Sequence, residues 1–469
     1  MNQSDALSLA AIGAVQPRSR GGQAARGLAL TFLGLLVGPH LPAQAQVPAA
    51  PAVSLETCIR TALEGSPDIE AAVRRIEAAQ AAVTETQSAW YPWLSLSPSY
   101  TRTDNPPQAF FMALNQRNAS LQNDFNNPPD TGNVRLSAAV KYRVFDGGRR
   151  ALDGRIAQRG ADLAQAGHDA VRNELIYQVT RGYYGVLQAR AFAEVQEESV
   201  RSLEESYRVA QERHTAGSAV KTDVLNLDVK LAQAREDLIR ARNGVKLAVA
   251  ALNTAMGRDV ATSSNVAGIV AGTALPEAPA EAGGIQQRPE LKMAKHLTEL
   301  RATALSKARR EYIPVVNAFG EMDWDSDRLN DFERSYLAGV AAEWELFSGF
   351  RSVAGVKRAR ADLAATRAES ERTRNQLRLD LIQARLALEE SRERLGVTQK
   401  SVNSAVESLR ITGERYKQGS ADITELLTAQ VGLTATRTRD VAAYYDCLTA
   451  VSNVERAQGQ LTTKWECKK

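Results

Sequence analysis

The chain has 469 residues, of which 44% are hydrophobic and 24% charged, so it is long enough to bury a large core. Its formal net charge of +4 argues against a protein that holds nucleic acid through a broad basic face. Beyond the N-terminus no apolar run reaches the roughly 18 residues of a transmembrane helix, which excludes a helical membrane protein.

The sequence has no pattern typical of an enzyme site. Its four histidines and three cysteines are scattered, without metal-ligand spacing, and the glycine-rich phosphate loops and the hydrolase nucleophile motif are missing. We therefore expect no catalytic activity, no cofactor and no metal. Cys58 and Cys447 lie in helical patterns, which favours buried thiols over a disulfide bridge.

The first 45 residues have the pattern of a secretory signal peptide. Arg18, Arg20 and Arg26 precede an apolar run over 27–37, and an A-x-A site ends at Ala45. This pattern predicts export, with cleavage after Ala45. The segment has no cysteine that could accept a lipid, so we expect a protein without a lipid anchor.

Five elements are predicted within residues 46–257. A helix over 55–90 precedes strands over 93–103 and 134–145, and helices over 149–214 and 222–256 follow. The helix over 149–214 would be about 100 Å long at 1.5 Å per residue. In the last helix an apolar residue recurs every seven positions, which indicates supercoiled, packed helices: Val224, Leu231, Leu238, Val245 and Leu252.

The second half of the chain repeats the first. Phe145 and Gly217 are 72 residues apart, as are Phe347 and Gly419, and an E-R pair before a G-S-A turn occurs in both halves. The second repeat covers 285–459, with strands over 315–325 and 335–347 and helices over 350–416 and 424–458. Residues 258–284 are predicted to be a connector, and 460–469 a C-terminal tail.

The predicted strands alternate between apolar and polar residues, so each has two different faces. Each run has about the 9 to 11 residues that a tilted strand needs to cross a bilayer. Four strands cannot close a membrane barrel, so several copies would have to pool their strands. The pooled strands would enclose a lumen lined by charged residues: Arg135, Lys141, Arg143, Glu343 and Glu345.

The segment 104–133 would then be a long loop on the outer side of the membrane. The same alternation would also suit a periplasmic sheet packed on a core, and the long helices would also suit a structural rod. These alternatives stay open at the level of residue patterns.

The duplicated order of helix, two strands, long helix, G-S-A turn and helix resembles the TolC-type outer-membrane efflux factors from Leu55 to about Gly459. This resemblance implies a mainly α fold with a small β part. Three copies would form a twelve-stranded outer-membrane β-barrel, continued by a twelve-helix periplasmic coiled-coil tunnel. The stretches that carry it are Ser54 to Glu56, Trp90 to Ser97, Val144 to Arg149, and Gly217 to Leu225 with its repeat.

The resemblance also implies a function and partners. The protein would be a passive exit duct, in outer-membrane lipid, of a tripartite efflux or type I secretion system. It would dock a periplasmic adaptor and an inner-membrane transporter. The alternative is a periplasmic coiled-coil adaptor or structural protein, although the sequence shows two helical hairpins where an adaptor would have one.

By resemblance the hairpin ends carry the gate and the adaptor contacts. The adaptor would dock at the turns: Gly217, Ser218, Gly419 and Ser420. The gate would comprise a Tyr-to-Asp link and acidic residues: Asp223, Tyr416, Asp422 and Glu425. The family's second acidic position is Thr428 here, and its arginine past the turn glycine is Ala421. Three Glu425 side chains around an axis would attract cations.

Overall fold

Very long helices dominate the fold. The structure is a computed structural model and describes residues 53–120, 122, 124, 126–262, 264–268 and 284–465. Helices α4 (Arg149–Thr215) and α7 (Arg351–Lys417) have 67 residues each. After a tight turn, each is followed by a shorter helix, α5 (Lys221–Ala255) or α8 (Ile423–Gln458). The duplicated sequence therefore folds into two helical hairpins of matching length.

The two hairpins pack against each other through α4 and α8. Gln430 on α8 donates a side-chain hydrogen bond to the Ser206 hydroxyl at 2.8 Å, and Thr434 lies 3.2 Å from the Ser199 hydroxyl. Heptad leucines such as Leu231 and Leu388 are buried. The seven-residue repeat thus places one face of each helix in the core.

Three shorter helices pack alongside the long helices. α1 (Leu55–Gly65), α2 (Pro67–Ser88) and α6 (Pro289–Arg309) all pack on α4. A single helix was predicted over 55–90, but the structure has two. Ser66 ends α1, its hydroxyl accepts from the Asp68 amide, and Pro67 opens α2 because proline suits a first helical position. A 3₁₀ turn (Arg310–Tyr312) follows α6, and a short α9 (Leu461–Lys464) follows α8.

Four antiparallel strands form one sheet in the order β1 (Trp93–Thr103), β2 (Thr131–Phe145), β3 (Val315–Ser326) and β4 (Glu333–Glu343). β2 starts three residues before the predicted strand over 134–145. β4 ends four residues before the predicted end at 347, because its ladder stops where Glu343 pairs with Val315, the first residue of β3. Glu345, predicted to face a lumen, therefore lies beyond the strand and pairs with Arg351 at 2.5 Å.

The segment predicted as a loop over 104–133 contains a helix, α3 (Pro106–Asn115). The Asn105 side chain accepts a hydrogen bond from the Gln108 amide, and Pro106 occupies the first helical position. These two residues are an ordinary helix start, which explains why the segment folds locally.

Two buried clusters lie near the middle of the long helices, beside the ends of α5 and α8. One surrounds Cys58, Ile176 and Leu252, and the other surrounds Leu381 and Cys447. Both cysteines are free and fully buried. The described helices contain no stretch long and apolar enough to cross a membrane.

Several expectations fall on residues outside the described part of the chain. These are the signal peptide over 1–45, the central part of the connector over 258–284, and the end of the tail with Cys467.

Candidate functional site

Both hairpins close through the same turn. In the first, the Gly217 amide donates to the His214 carbonyl at 3.0 Å, and the Ser218 amide donates to the Arg213 carbonyl at 2.8 Å. Gly419 and Ser420 make the equivalent bonds in the second. This pair of bonds is the Schellman motif, which needs a left-handed residue, and both glycines have φ near +80° (+76° and +79°). The two turns predicted as docking sites thus have nearly identical backbone geometry.

An arginine in each hairpin closes its own turn. The Arg213 guanidinium donates to the Ser218 carbonyl at 3.1 Å, and the Arg415 guanidinium donates to the Ser420 carbonyl at 3.0 Å. The serine hydroxyls donate back to the arginine carbonyls. These bonds satisfy carbonyls that the helix end leaves open.

Arg213 makes a second set of contacts, to the other hairpin. Its guanidinium donates to the Tyr416 carbonyl at 2.5 Å and lies over the Tyr416 ring, 4.9 Å from the centroid. Reasoning from the sequence missed this role, although the repeated E-R pair at 212–213 and 414–415 marked the residue. Arg213 therefore joins the two hairpin ends, and Arg415 does not share this contact because it pairs with Glu425 on its own hairpin, at 3.1 Å.

Tyr416 is buried, and its ring packs in a cluster with Leu227, Ile423 and Leu426. Among the described residues its hydroxyl has no hydrogen-bond partner, so Tyr416 does not form the predicted hydrogen bond with Asp223. Asp223 is nevertheless close enough to act on it. Burial raises the pKa of Tyr416, the Asp223 charge raises this pKa further, and Arg213 opposes both effects.

The acidic residues of the second turn have separate roles. The Asp422 carboxylate accepts a hydrogen bond from the Glu425 amide at 2.8 Å and so caps α8. Glu425 is half-exposed and paired with Arg415, so its charge is partly balanced. Thr428 is exposed and bonds only within α8, while Ala421 packs against the buried cluster around Tyr416.

The sheet separates polar from apolar residues. Cross-strand partners share a face, and the register pairs Arg135 with Asp325, Lys141 with Phe319, and Arg143 with Asn317. Glu343 is on this same polar face, opposite Val315. The other face carries the apolar sets of all four strands, among them Leu94, Leu96, Val140, Tyr142, Met322, Trp324, Tyr336 and Val340.

The apolar face is largely uncovered. Leu94, Leu96, Tyr336 and Val340 are each more than 60% exposed (73%, 65%, 83% and 69%). A soluble protein rarely leaves so large an apolar patch open, so this face needs lipid or another apolar surface. Aromatic residues stand where the sheet meets the helices, with Arg150 stacked on Trp90 at 4.3 Å, as at a membrane boundary.

Among the described residues no three or more His, Cys, Asp or Glu side chains lie where they could hold a metal ion. The main features of the described part of the chain are a two-faced sheet, paired long helices and a charged hairpin end.

Comparison with known proteins identifies this architecture. The family described as outer membrane efflux protein matches residues 58–258 and 284–460. Protein CyaE of Bordetella pertussis is 25% identical over 417 residues, which cover 87% of this chain and 84% of that protein. The fold is similar to the CmeC outer membrane channel of Campylobacter jejuni, with a TM-score of 0.77, 17% identity, and 87% and 85% of the two chains covered. It is also similar to VceC of Vibrio cholerae, with a TM-score of 0.73, 18% identity, and 86% and 96% covered.

The fold and the two-faced sheet define a channel protein of the outer membrane. The chain belongs to the outer membrane efflux protein family, the TolC family, and the resemblance seen in the sequence is confirmed. It is an outer-membrane efflux channel, and its family is not enzymatic. The alternative of a periplasmic adaptor finds no support, because both halves of the chain match the channel family.

Proposed function

We propose that three copies of this chain form a continuous exit duct through the outer membrane. The observation that carries this proposal is the register of the sheet, which gathers charged residues on one face and apolar residues on the other. Within the described residues the outer edges of β1 and β4 have no strand partner. Open edges are not tolerated in lipid, so β4 of one copy would pair with β1 of the next.

The helices support the same assembly. On α5 and α7, large apolar side chains stay exposed on the faces turned away from their own hairpins. In a ring of copies α5 of one protomer would meet α7 of its neighbour and bury these stripes. They comprise Leu225, Val229, Ile239 and Leu247 on α5, and Leu379, Ile382, Leu386, Val397, Val406 and Ile411 on α7.

In this duct Arg135, Lys141, Arg143 and Glu343 would line the barrel lumen. Substrates would pass without chemistry, delivered by an inner-membrane transporter through a periplasmic adaptor. The adaptor would contact the two exposed turns at 217–218 and 419–420. The N-terminal segment would direct export and be cleaved after Ala45.

The channel itself is tested by reconstituting the full-length protein in planar lipid bilayers. We expect discrete single-channel currents. A correctly folded preparation that inserts into the bilayer and carries no current would contradict a duct.

The hairpin ends would act as the periplasmic gate. Arg213 holds α7 of the second hairpin through the Tyr416 carbonyl and ring, so opening would require this contact to break. An adaptor that binds the separated hairpins more tightly would favour the open state. The charge of three Glu425 side chains near the axis would favour cations.

Substitution of Glu425 tests the position of the gate. Glu425→Gln should lower the cation-over-anion permeability ratio measured from reversal potentials in a salt gradient. Glu414→Gln is the matched control, because Glu414 is an exposed carboxylate paired within α7 with Lys417. An equal change in both variants, or none in Glu425→Gln, would remove Glu425 from the conduction path.

Conductance that is unchanged by Tyr416→Phe combined with Asp223→Ala would remove that pair from the gate.

A further inference from the structure

The segment between β1 and β2 folds back over the sheet. α3 packs against both β2 and β4, the two strands that flank β3. At its end Gln116 is buried, and the side-chain amide of Gln116 donates to the Asn133 side chain at 2.9 Å and to the Gly132 carbonyl at 2.8 Å. The next residue, Arg117, pairs with Glu333 on β4 at 3.2 Å. Two adjacent residues thus hold the end of α3 to two different strands, β2 and β4.

The face that α3 covers is the polar one. Asn133 lies on the same side of β2 as Arg135, and Glu333 pairs across the ladder with Asp325. Asn133 and Arg135 both donate to the same carboxylate oxygen of Asp325, at 2.5 and 2.8 Å. Asp325 is 1% exposed. A buried carboxylate depends on its donors, and Asn133, one of the two, also accepts from Gln116, so this network connects the end of α3 to the sheet.

The opposite side of α3 is apolar and open to water. Phe111 is 62% exposed and Leu114 is 45% exposed, whereas Ala109 is buried. Residues three apart in a helix lie on one side, so Phe111 and Leu114 form one patch that points away from the sheet. This apolar patch contrasts with the charged face beneath it.

We infer that α3 narrows the outer end of the lumen and limits the size of the solute that leaves. The inference rests on the proposed trimer, in which the polar face lines the lumen. α3 sits at the end of the sheet that is remote from the long helices, since β1 leaves the helical end at Trp93 and reaches α3 after Thr103. Three copies of Phe111 and Leu114 would then surround the axis as an apolar collar. Such a collar narrows the opening, so it slows a bulky solute more than a small one.

The test measures how fast thiol reagents reach the lumen from outside intact cells. The reporter is Lys141→Cys, on the polar face beyond α3, in a chain that carries Cys467→Ser. Cys58 and Cys447 can stay because both are fully buried. A small maleimide and a bulky polyethylene glycol maleimide are each added to the medium, and the labelled fraction is followed on gels.

Two variants remove the constriction in different ways. Phe111→Ala with Leu114→Ala trims the collar and keeps a helix-forming residue at both positions. Gln116→Ala with Arg117→Ala releases α3 from the sheet. Arg102→Ala is the matched control, since it removes an exposed ion pair between β1 and Asp130 and leaves α3 unchanged.

We expect both double variants to speed labelling by the bulky reagent about tenfold or more, which corresponds to a barrier lower by about 1.4 kcal/mol. The control and the small reagent should show the parental rate. Equal bulky-reagent rates in the parent and both variants would overturn the inference, and acceleration by the release variant alone would reject Phe111 and Leu114 as the collar. A reporter that even the small reagent cannot label would instead contradict the water-filled lumen of the proposed function, and the inference with it.

Discussion

Replacing Arg213 by alanine should loosen the contact between the two hairpin ends. The variant loses a charge-assisted bond to the Tyr416 carbonyl and the stacking of the guanidinium on the Tyr416 ring. A hydrogen bond to a charged group contributes about 1.5 to 3 kcal/mol, and a partly exposed cation–π contact about 0.5 to 1 kcal/mol. Because Arg213 is itself partly exposed, we take the lower end of these ranges, about 2 kcal/mol in total.

The duplication supplies the control. Arg415→Ala removes the equivalent bond within its own turn and an exposed ion pair with Glu425, but no contact to the other hairpin. An exposed pair contributes about 0.5 kcal/mol. The difference between the two variants is therefore about 1.5 kcal/mol, or roughly tenfold in an opening equilibrium.

Hydrogen–deuterium exchange of the purified protein measures this opening directly. We expect backbone amides over 416–426 to exchange roughly ten times faster in Arg213→Ala than in Arg415→Ala, with the sheet and the sheet end of the hairpins unchanged. Equal exchange in the two variants would show that Arg213 stabilises only its own turn, and the reasoning about a contact between hairpins would be refuted.

Three further predictions concern stability. The raised pKa of Tyr416 means that the folded hairpin end prefers the protonated phenol, so its contribution to stability is complete below the ordinary pKa of about 10 and is lost as the pH rises above it. The amides over 416–426 should therefore lose protection in alkali beyond the base-catalysed rise in exchange that every free amide shows, and Tyr416→Phe should abolish this extra loss. Gly147→Ala should lower the melting temperature more than Gly349→Ala. Both positions have a positive φ, which costs a non-glycine residue about 1 to 2 kcal/mol, but only at Gly147 would the new Cβ lie 2.8 Å from Ile313. Arg288→Met should lower the free energy of unfolding by about 3 to 5 kcal/mol, because buried Arg288 binds Glu290, Asp380 and the Arg456 carbonyl. Arg374→Met, which removes an exposed ion pair with Glu371, should lower it by less than about 1 kcal/mol. Equal melting temperatures within either substitution pair, or an alkaline response that survives in Tyr416→Phe, would contradict the corresponding assignment.

Periodic patterns in the sequence were sufficient for the fold class. The heptads predict helices over 149–214 and 222–256 because core leucines must return to one face every seven residues, and the structure has helices over Arg149–Thr215 and Lys221–Ala255. Alternation likewise separates the two faces of each strand. Two helix starts also had local sequence signals, a capping residue followed by proline, that the prediction did not use. They lie at Ser66–Pro67, where they divide the first helix, and at Asn105–Pro106, where they start α3.

The detail of the hairpin end could not be predicted in the same way. The contact of Arg213 with Tyr416 joins residues 203 positions apart, and no local pattern encodes it. The Tyr416 hydroxyl, expected to bond Asp223, is buried without a hydrogen-bond partner among the described residues. Residue spacing carries no information about a side-chain hydrogen bond of this kind. The roles of Asp223, Asp422 and Glu425 in gating stay predictions.

The most direct test of the central claim is single-particle imaging, with native mass determination, of full-length protein extracted from the outer-membrane fraction. A duct built from pooled strands predicts three chains per particle and one uninterrupted hollow tube through barrel and helices. A particle of one chain, or a closed assembly whose β4 does not pair with β1 of a neighbouring copy, would contradict it.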